Sequence, residues 1–567
     1  SPFNDLRKQS SVTSSITSDE ASVFCIELFC IDEKYEARSM DFLPAAFKLF
    51  PDKDYCLITM PHIVNDFPLV QEFTRVTPKV DATISHELYV FHRWGLLRNI
   101  SVRPAICNDF TGIQNIVTNI SGSDILLRDV EQYNRARRDQ DGQELRVFVA
   151  ECTNQVIGVA VLRQEEDIEF IRAHYAVEDF IYFNYHEREE HARLFHFTIN
   201  PIFRHYTRHL LKEVLRLSHK SCLYYSLYPK NVNPIMSGTK KYSVISCLSD
   251  LVPVRGRRQV LYQETVLGVN APSKKVLKKQ EGYALYHLNR KLTLEPKVVI
   301  NARIVLVGAS DTGISFLERF CFCPHLHFKN ITIISPQGLP SDVANTENQI
   351  KMRPSSCCYT KENYAHMSLN TWINVVDDKM VAIDRTDKVI STLKGHQVPY
   401  DYLVLCCGEQ FQIAIPSGAD VNTLVTTAEV PRNRHQVYKG DLPSNVFTVN
   451  SHQDVQDTLH WMETSFAHTE GKAVIYGATL ASYTFIQGLL ASGVSGSRLV
   501  MIQPPSNLPS SFNNPELDDV VEKSLQNSGV TLYKDYTLAR WNHKEESSLL
   551  RNATFTSSNK PLMVECQ

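Results

Sequence analysis

Twice in this sequence an apolar strand pattern runs into a glycine and continues as a helical pattern. The first is IVLVGASDTGISFLERF, residues 304 to 320; the second is AVIYGATLASYTFIQGLLASG, residues 473 to 493. A short, continuous apolar run bounded by glycine suits a strand buried on both faces, as in a parallel sheet flanked by helices. Gly308 and Gly477 stand where the chain must reverse tightly. Two such units predict a layered α/β architecture for the second half. At 567 residues the chain is also too long for a single core, so several domains are expected.

Further apolar segments follow the same plan. Ile331 to Ser335 reads as a second strand, YDYLVLCCG (400 to 408) as another, and NPELDDVVEKSLQNSGVTLYKDYTLARW as a helix followed by a strand after Gly529. This order resembles the pyridine nucleotide-disulphide oxidoreductases, in which one Rossmann unit binds FAD and a second binds NAD(P)H. The resemblance implies an FAD-type unit over residues 302–470 and an NAD-type unit over 471–567. YDYLVLCCG stands at the family's Y-D-x-L-x-x-A-T-G strand, with Cys406 and Cys407 replacing Ala-Thr.

The loops depart from the binding pattern. Gly308-Ala309-Ser310-Asp311-Thr312-Gly313 keeps the outer glycines, but Ser310 replaces the middle one, where the backbone meets the pyrophosphate. Gly477 alone survives in the second loop. The strand-end positions that would hold ribose hydroxyls are Ser335 and Gln503. Each lost charge-assisted contact costs about 1–3 kcal/mol, while a micromolar affinity is only about 8 kcal/mol. The family's C-x-x-x-x-C redox pair is also missing, since Cys321, Cys323, Cys357 and Cys358 do not give that spacing. The expectation is therefore no bound cofactor, with FAD the one candidate, and vestigial dinucleotide loops at Gly308, Ser310, Gly313 and Gly477.

The first half carries an internal repeat. LFCIDEKYEARSMDFLPAAFKLFPDKDYCLITMP ends at Pro61, and HFTINPIFRHYTRHLLKEVLRLSHKSCLYYSLYP ends at Pro229. With Pro61 laid on Pro229, the two stretches align without gaps. Each copy reads strand, polar turn, helix, strand. Ahead of the second copy, Asp109 reads as a helix N-cap and Thr153-Asn154 as a hairpin turn. This order resembles the Gcn5-related (GNAT) acetyltransferases over residues 99–265, with 1–98 as the C-terminal half of a first such domain. Residues 266–301 read as a basic linker. The family's pyrophosphate loop, R/Q-x-x-G-x-G/A, corresponds to Arg204-His205-Tyr206-Thr207-Arg208-His209, with Thr207 and His209 at the small positions. In the first copy it corresponds to Glu36-Ala37-Arg38-Ser39-Met40-Asp41, where Glu36 and Asp41 would repel an anion. Glu189, Glu190 and His191 could pass for a general base, but HEREEH reads as a solvated face.

Composition excludes several classes. The net charge is −3 (59 Lys+Arg, 62 Asp+Glu), which leaves no footprint for nucleic acid or an anionic membrane. No apolar run of about 18 residues predicts a membrane span. The 14 cysteines lack paired C-x-x-C spacing, so no metal site is expected. The polar start and the end at SSNKPLMVECQ read as cuts within a longer protein.

The fold class expected is thus α/β: tandem GNAT-like α/β domains followed by a two-unit Rossmann region. That pairing, with CIDEKYEARSMDFLPAAFKLFPDKDYCLITMPH and LVPVRGRRQVLY, resembles the family of cilia- and flagella-associated protein sixty-one. The resemblance implies a non-catalytic component of the ciliary and flagellar axoneme. Its implied partners are other proteins of the calmodulin- and spoke-associated complex, radial spoke proteins and the doublet microtubule. No catalytic residue is carried over. Within the chain, KYEARSMDFLPAAFKLF is the closest approach to a calmodulin-binding helix, but its mixed charges read as a domain helix. The alternative is an FAD/NAD(P)H-dependent oxidoreductase with an attached acetyltransferase-like domain.

Overall fold

A computed structural model describes residues 22–62, 64, 67–76, 86–118, 120, 123–229, 244–257, 276, 281–340, 359–408, 444–447, 449, 452–505, 512, 514–542, 549–557 and 560–565. It is an α/β protein. The described residues fall into two compact units, the first within Ser1–Val307, Asp311–Ile334 and Tyr359–Val404, the second within Gly308–Ser310, Ser335–Cys358 and Leu405–Gln567.

The first unit opens with a four-stranded sheet of β1 (Val23–Ile26), β2 (Tyr55–Pro61), β3 (Thr74–Val76) and β4 (His86–His92), in the order β1-β2-β4-β3. β2 alternates exposed and buried residues, so Cys56, Ile58 and Met60 face the core. Helix α1 (Phe42–Leu49) covers them with Leu43 and Phe47.

A seven-stranded sheet follows. Its strands are β5 (Ile100–Pro104), β6 (Leu145–Cys152), β7 (Gln155–Gln164), β8 (His191–Ile199), β9 (Cys222–Leu227), β10 (Val252–Val254) and β11 (Ala284–Asn289), in the order β10-β11-β9-β8-β7-β6-β5. β6 and β7 are buried on both faces. Leu145, Val147, Val149, Val159 and Val161 pack against α2 (Phe110–Val117) and α3 (Ser123–Ala136). Phe148, Ala150, Ala160 and Leu162 join the core beneath α4 (Thr207–Leu217), to which that helix gives Leu210, Leu211, Val214 and Leu215. The β6–β7 turn is Thr153-Asn154, both at positive φ (48° and 64°). That is the left-handed pair of a two-residue hairpin. Asp109 does not bond to the amides of the helix it precedes. Its carboxylate accepts from the Ile106 N–H (2.8 Å) and from both terminal nitrogens of Arg103 (2.7 and 2.8 Å).

The repeat is structural as well as sequential. The alignment of Pro61 on Pro229 carries β1 onto the start of β8, β2 onto β9, and the end of α1 onto the end of α4. The sheet orders agree too. β1-β2 and β8-β9 are parallel; β2-β4 and β9-β11 are antiparallel; β3 and β10 close each edge antiparallel. The expectation of a basic linker over 266–301 is corrected here. Ala284–Asn289 is the fully buried strand β11, between β9 and β10. Flanking lysines and arginines masked its apolar core, YALYHL. Residues 266–275 and 277–280 of that segment lie outside the described residues, as do Cys357 and Cys358.

Also in the first unit, β12 (Val298–Val307) pairs in parallel with β13 (Leu326–Ser335) through α5 (Asp311–Cys321). The sheet is completed by β14 (Asn374–Asp377) and by β18 (Tyr402–Leu405), in the order β14-β13-β12-β18. Strands β15 (Met380–Asp384), β16 (Val389–Thr392) and β17 (Gln397–Pro399) form an antiparallel meander between them in sequence. The second unit holds α6 (His452–Thr464) and a strand–helix series. In that series β19 (Ala473–Tyr476), α7 (Leu480–Ala491), β20 (Leu499–Ile502), α8 (Pro515–Asn527) and β21 (Thr531–Tyr533) build a parallel sheet ordered β19-β20-β21. An antiparallel meander, β22 (Thr537–Asn542), β23 (Asn552–Ser557) and β24 (Lys560–Glu565), follows. Both strand–glycine–helix readings therefore form the elements expected of them.

Candidate functional site

Four loops could hold a phosphate-bearing ligand, and in three of them polar side chains bond within the protein. After β8, the Asn200 side chain accepts from the Ile202 N–H (3.1 Å) and starts the 3-10 turn Pro201–Tyr206, which leads into α4. Thr207, the first residue of α4, is buried, and its hydroxyl donates to the Arg204 carbonyl (2.6 Å). The turn is also covered by the first repeat. The Thr74 hydroxyl donates to the Pro201 carbonyl (3.2 Å), and Glu72 Oε2 lies 3.5 Å from His205 Nε2. Burial, with Arg98 nearby, pushes the His205 imidazole down to about 4, while burial pushes the Glu72 carboxyl up. Each shift favours the neutral form, so His205 offers a phosphate no cation near neutrality. Arg208 is occupied as well, donating to the carbonyls of Leu292 (3.2 Å) and Thr293 (3.0 Å). This turn does not fit a coenzyme A pyrophosphate.

The corresponding stretch of the first repeat lies in the 3-10 helix Glu33–Asp41. Glu36 is half-buried and Asp41 exposed there, Arg38 pairs with Asp41 (2.9 Å), and Ser39 is buried. This loop presents carboxylates outward.

In the first dinucleotide-type loop, Gly308 has φ 101°, and a Cβ placed on it would lie 2.7 Å from the Cys406 carbonyl oxygen and 2.8 Å from Cys407 Cα. The Ser310 hydroxyl donates to that same Cys406 oxygen (2.7 Å). The backbone of 406–407 thus occupies the side of the turn on which glycine permits close approach. Gly313 is buried in the first turn of α5. In the second loop, Gly477 has φ 152°, and a Cβ there would lie 2.6 Å from Ser482 Oγ, which itself sits 3.3 Å from Thr479 Oγ1. Gln503, at the ribose position, is buried and donates its amide to Tyr483 Oη (2.8 Å); Ser335, its counterpart, is also buried. Around both loops, then, polar side chains at the motif and ribose positions bond within the protein.

HEREEH is a surface face only in part. Arg188–Glu190 forms a 3-10 turn without buried residues, but His191 is wholly buried. Its Nδ1 lies 3.0 Å from Tyr224 Oη, and its ring stacks on Phe183. Burial, with His186 nearby, lowers its pKa to about 4. Its position as the first residue of β8 is the signal that could have shown this. The segment KYEARSMDFLPAAFKLF is a 3-10 helix running into α1, packed through Leu43 and Phe47.

One polar cluster had no sequence signal except an acid leading into an apolar strand. Asp401 accepts from the Arg303 N–H (2.7 Å), the Arg303 guanidinium (3.1 Å) and His62 Nε2 (2.9 Å). Burial alone would raise its pKa, but these donors bring it down to about 2. Beside it, Glu87 joins Arg75 (2.7 Å) and Asn301 (2.8 Å), and Arg75 also reaches Asn330 (3.1 Å). These bonds tie the first sheet to β12 and β13 within one unit. Among the described residues, no group of His, Cys, Asp and Glu side chains is placed to hold a metal, and no helix is long and apolar enough to cross a membrane.

Residues 17–182 match the family described as cilia- and flagella-associated protein 61, N-terminal domain. The whole chain is 26% identical over 628 residues to cilia- and flagella-associated protein 61 of Tetrahymena thermophila, covering 98% of this chain and 36% of that protein. The chain is similar to cilia- and flagella-associated protein 61. It spans little more than a third of the length of the curated relative, 36%. Among solved structures, similar chains include the covalent putidaredoxin reductase–putidaredoxin complex (12% identity, TM-score 0.32, 47% of this chain and 57% of that one). The sulfide:quinone oxidoreductase of Aquifex aeolicus is another (14% identity, TM-score 0.30, again 47% and 57%). Superpositions this loose carry no argument about chemistry.

Proposed function

We propose that this chain is a non-catalytic structural component of the ciliary and flagellar axoneme. In this reading it supports radial spoke assembly at the calmodulin- and spoke-associated complex, and through it cilium and sperm flagellum motility. The similarity to a cilia- and flagella-associated protein supports the ciliary place. The observation that carries the non-catalytic part is the bond from Ser310 to the Cys406 carbonyl, which closes the dinucleotide-type turn on its own backbone. Thr207, Ser482 and Gln503 spend their polar groups internally in the same manner. The acetyltransferase-like and flavoprotein-like folds act here as surfaces for other proteins.

The purified protein is expected to show no flavin band in its visible absorbance and no heat of binding with acetyl-CoA. A stoichiometric flavin band or micromolar acetyl-CoA affinity would favour an oxidoreductase fused to an acetyltransferase. In cells lacking the protein, radial spokes are expected to be lost. Ser310→Glu, which adds a negative charge to the turn, is expected to restore spokes and beating alike. Assembled spokes with paralysed cilia in that variant would overturn the proposal.

A further inference from the structure

The two repeat copies differ most at one edge. In the second copy, β8 is held by β9 only at His191, Ala192 and Arg193; from Leu194 to Ile199 its ladder runs against the antiparallel strand β7. The repeat alignment places the first-copy equivalents at Ile26 to Ile31. There, strand β1 ends at Ile26, and residues 27–31 form no strand. Among the described residues, nothing occupies the place of β7.

The side chains agree with the backbone. Leu28 is 88% exposed, whereas its counterpart His196 is 1% exposed and bonded to Asp129 of α3 (3.1 Å). Phe42 is 54% exposed, whereas its counterpart Leu210 is 1% exposed and faces Gly158 of β7. Among the described residues, the first copy therefore shows an unpaired strand edge and large apolar side chains at the positions that β7 and α3 cover in the second. An open, apolar strand edge of this kind is a template for an added strand.

We propose that residues 23–31 accept an antiparallel strand of the β7 type, apolar on both faces, that itself covers Phe42, together with a helix that covers Leu28. Its source is the same polypeptide, ahead of β1, because β7 precedes β8 in the second copy. The repeat alignment puts this strand before Ser1. On pairing, residues 27–31 become strand, as Phe195–Ile199 are.

Hydrogen exchange of this chain, compared with the protein carrying its natural preceding sequence, tests this. The amides of Glu27–Ile31 are expected to exchange rapidly in the chain and at least about 100-fold more slowly in the longer protein, with both monomeric. Leu28→Glu is expected to abolish that protection while the Val23–Ile26 ladder with β2 persists. Equal exchange in the two forms would overturn the proposal. So would protection already present in the shorter chain, or protection that needs a second copy or a separate ciliary protein.

Discussion

At the scale of single residues, Gly308 is a motif position that the fold itself requires. Its φ of 101° disfavours any side chain, and a Cβ would press on the Cys406 carbonyl at 2.7 Å. Gly308→Ala is therefore expected to destabilise the fold by about 2–4 kcal/mol, combining backbone strain with a steric clash. Denaturant unfolding of the unliganded protein would show it; a change below about 0.5 kcal/mol would mean that the turn is soft. The sequence showed that Ser310 breaks the glycine pattern. It could not show that the hydroxyl serves a carbonyl 96 residues away, because that contact depends on where YDYLVLCCG returns. Asp401 was similarly silent. An acid before an apolar strand signals that a partner exists, but not that the partners are Arg303 and His62.

At the scale of elements, periodicity served well where a segment was long or bounded by glycine. The strand–helix units at 304–320 and 473–493 formed as read, and so did the hairpin at Thr153-Asn154. That hairpin asks a β-branched residue to hold φ 48° in an exposed turn. Thr153→Asn is expected to stabilise the protein by about 0.5–1 kcal/mol, since Asn tolerates the left-handed region. A higher midpoint in urea at unchanged slope checks this. Strand β11 was missed for a physical reason. Its buried residues lie between charged flanks and average with them to a polar stretch, and the burial comes from neighbours β9 and β10, which are distant in sequence. The cover that Glu72 and Thr74 place over the Pro201–Tyr206 turn was equally out of reach, because it belongs to packing between two sheets.

At the scale of the whole molecule, the first unit stores several neutral histidines. Burial lowers His191, His205 and His327 to about 4 and His287 to about 3. Each takes up a proton on unfolding once the pH falls below its unfolded value of about 6.5, so its contribution is complete above that pH and declines toward pH 4. Glu72, Glu165 and Asp250, whose carboxyls burial raises, act in the opposite direction. Single substitutions separate the terms. The ring of His327 packs edge-on against Trp372. His327→Phe is expected to flatten the fall of first-unit stability between about pH 6.5 and 4, by up to roughly 1.4 kcal/mol per pH unit. An unchanged slope in urea titrations across that range would refute the assignment. The bond between His62 and Asp401 spans 339 residues of sequence. During synthesis at about 5–20 residues per second, the first sheet emerges roughly 20–70 s before the acid that anchors it. For that interval the newborn sheet has only its own apolar cluster of Leu43, Phe47, Ile58 and Phe91 to hold it, so its packing must outlast the wait for its anchor.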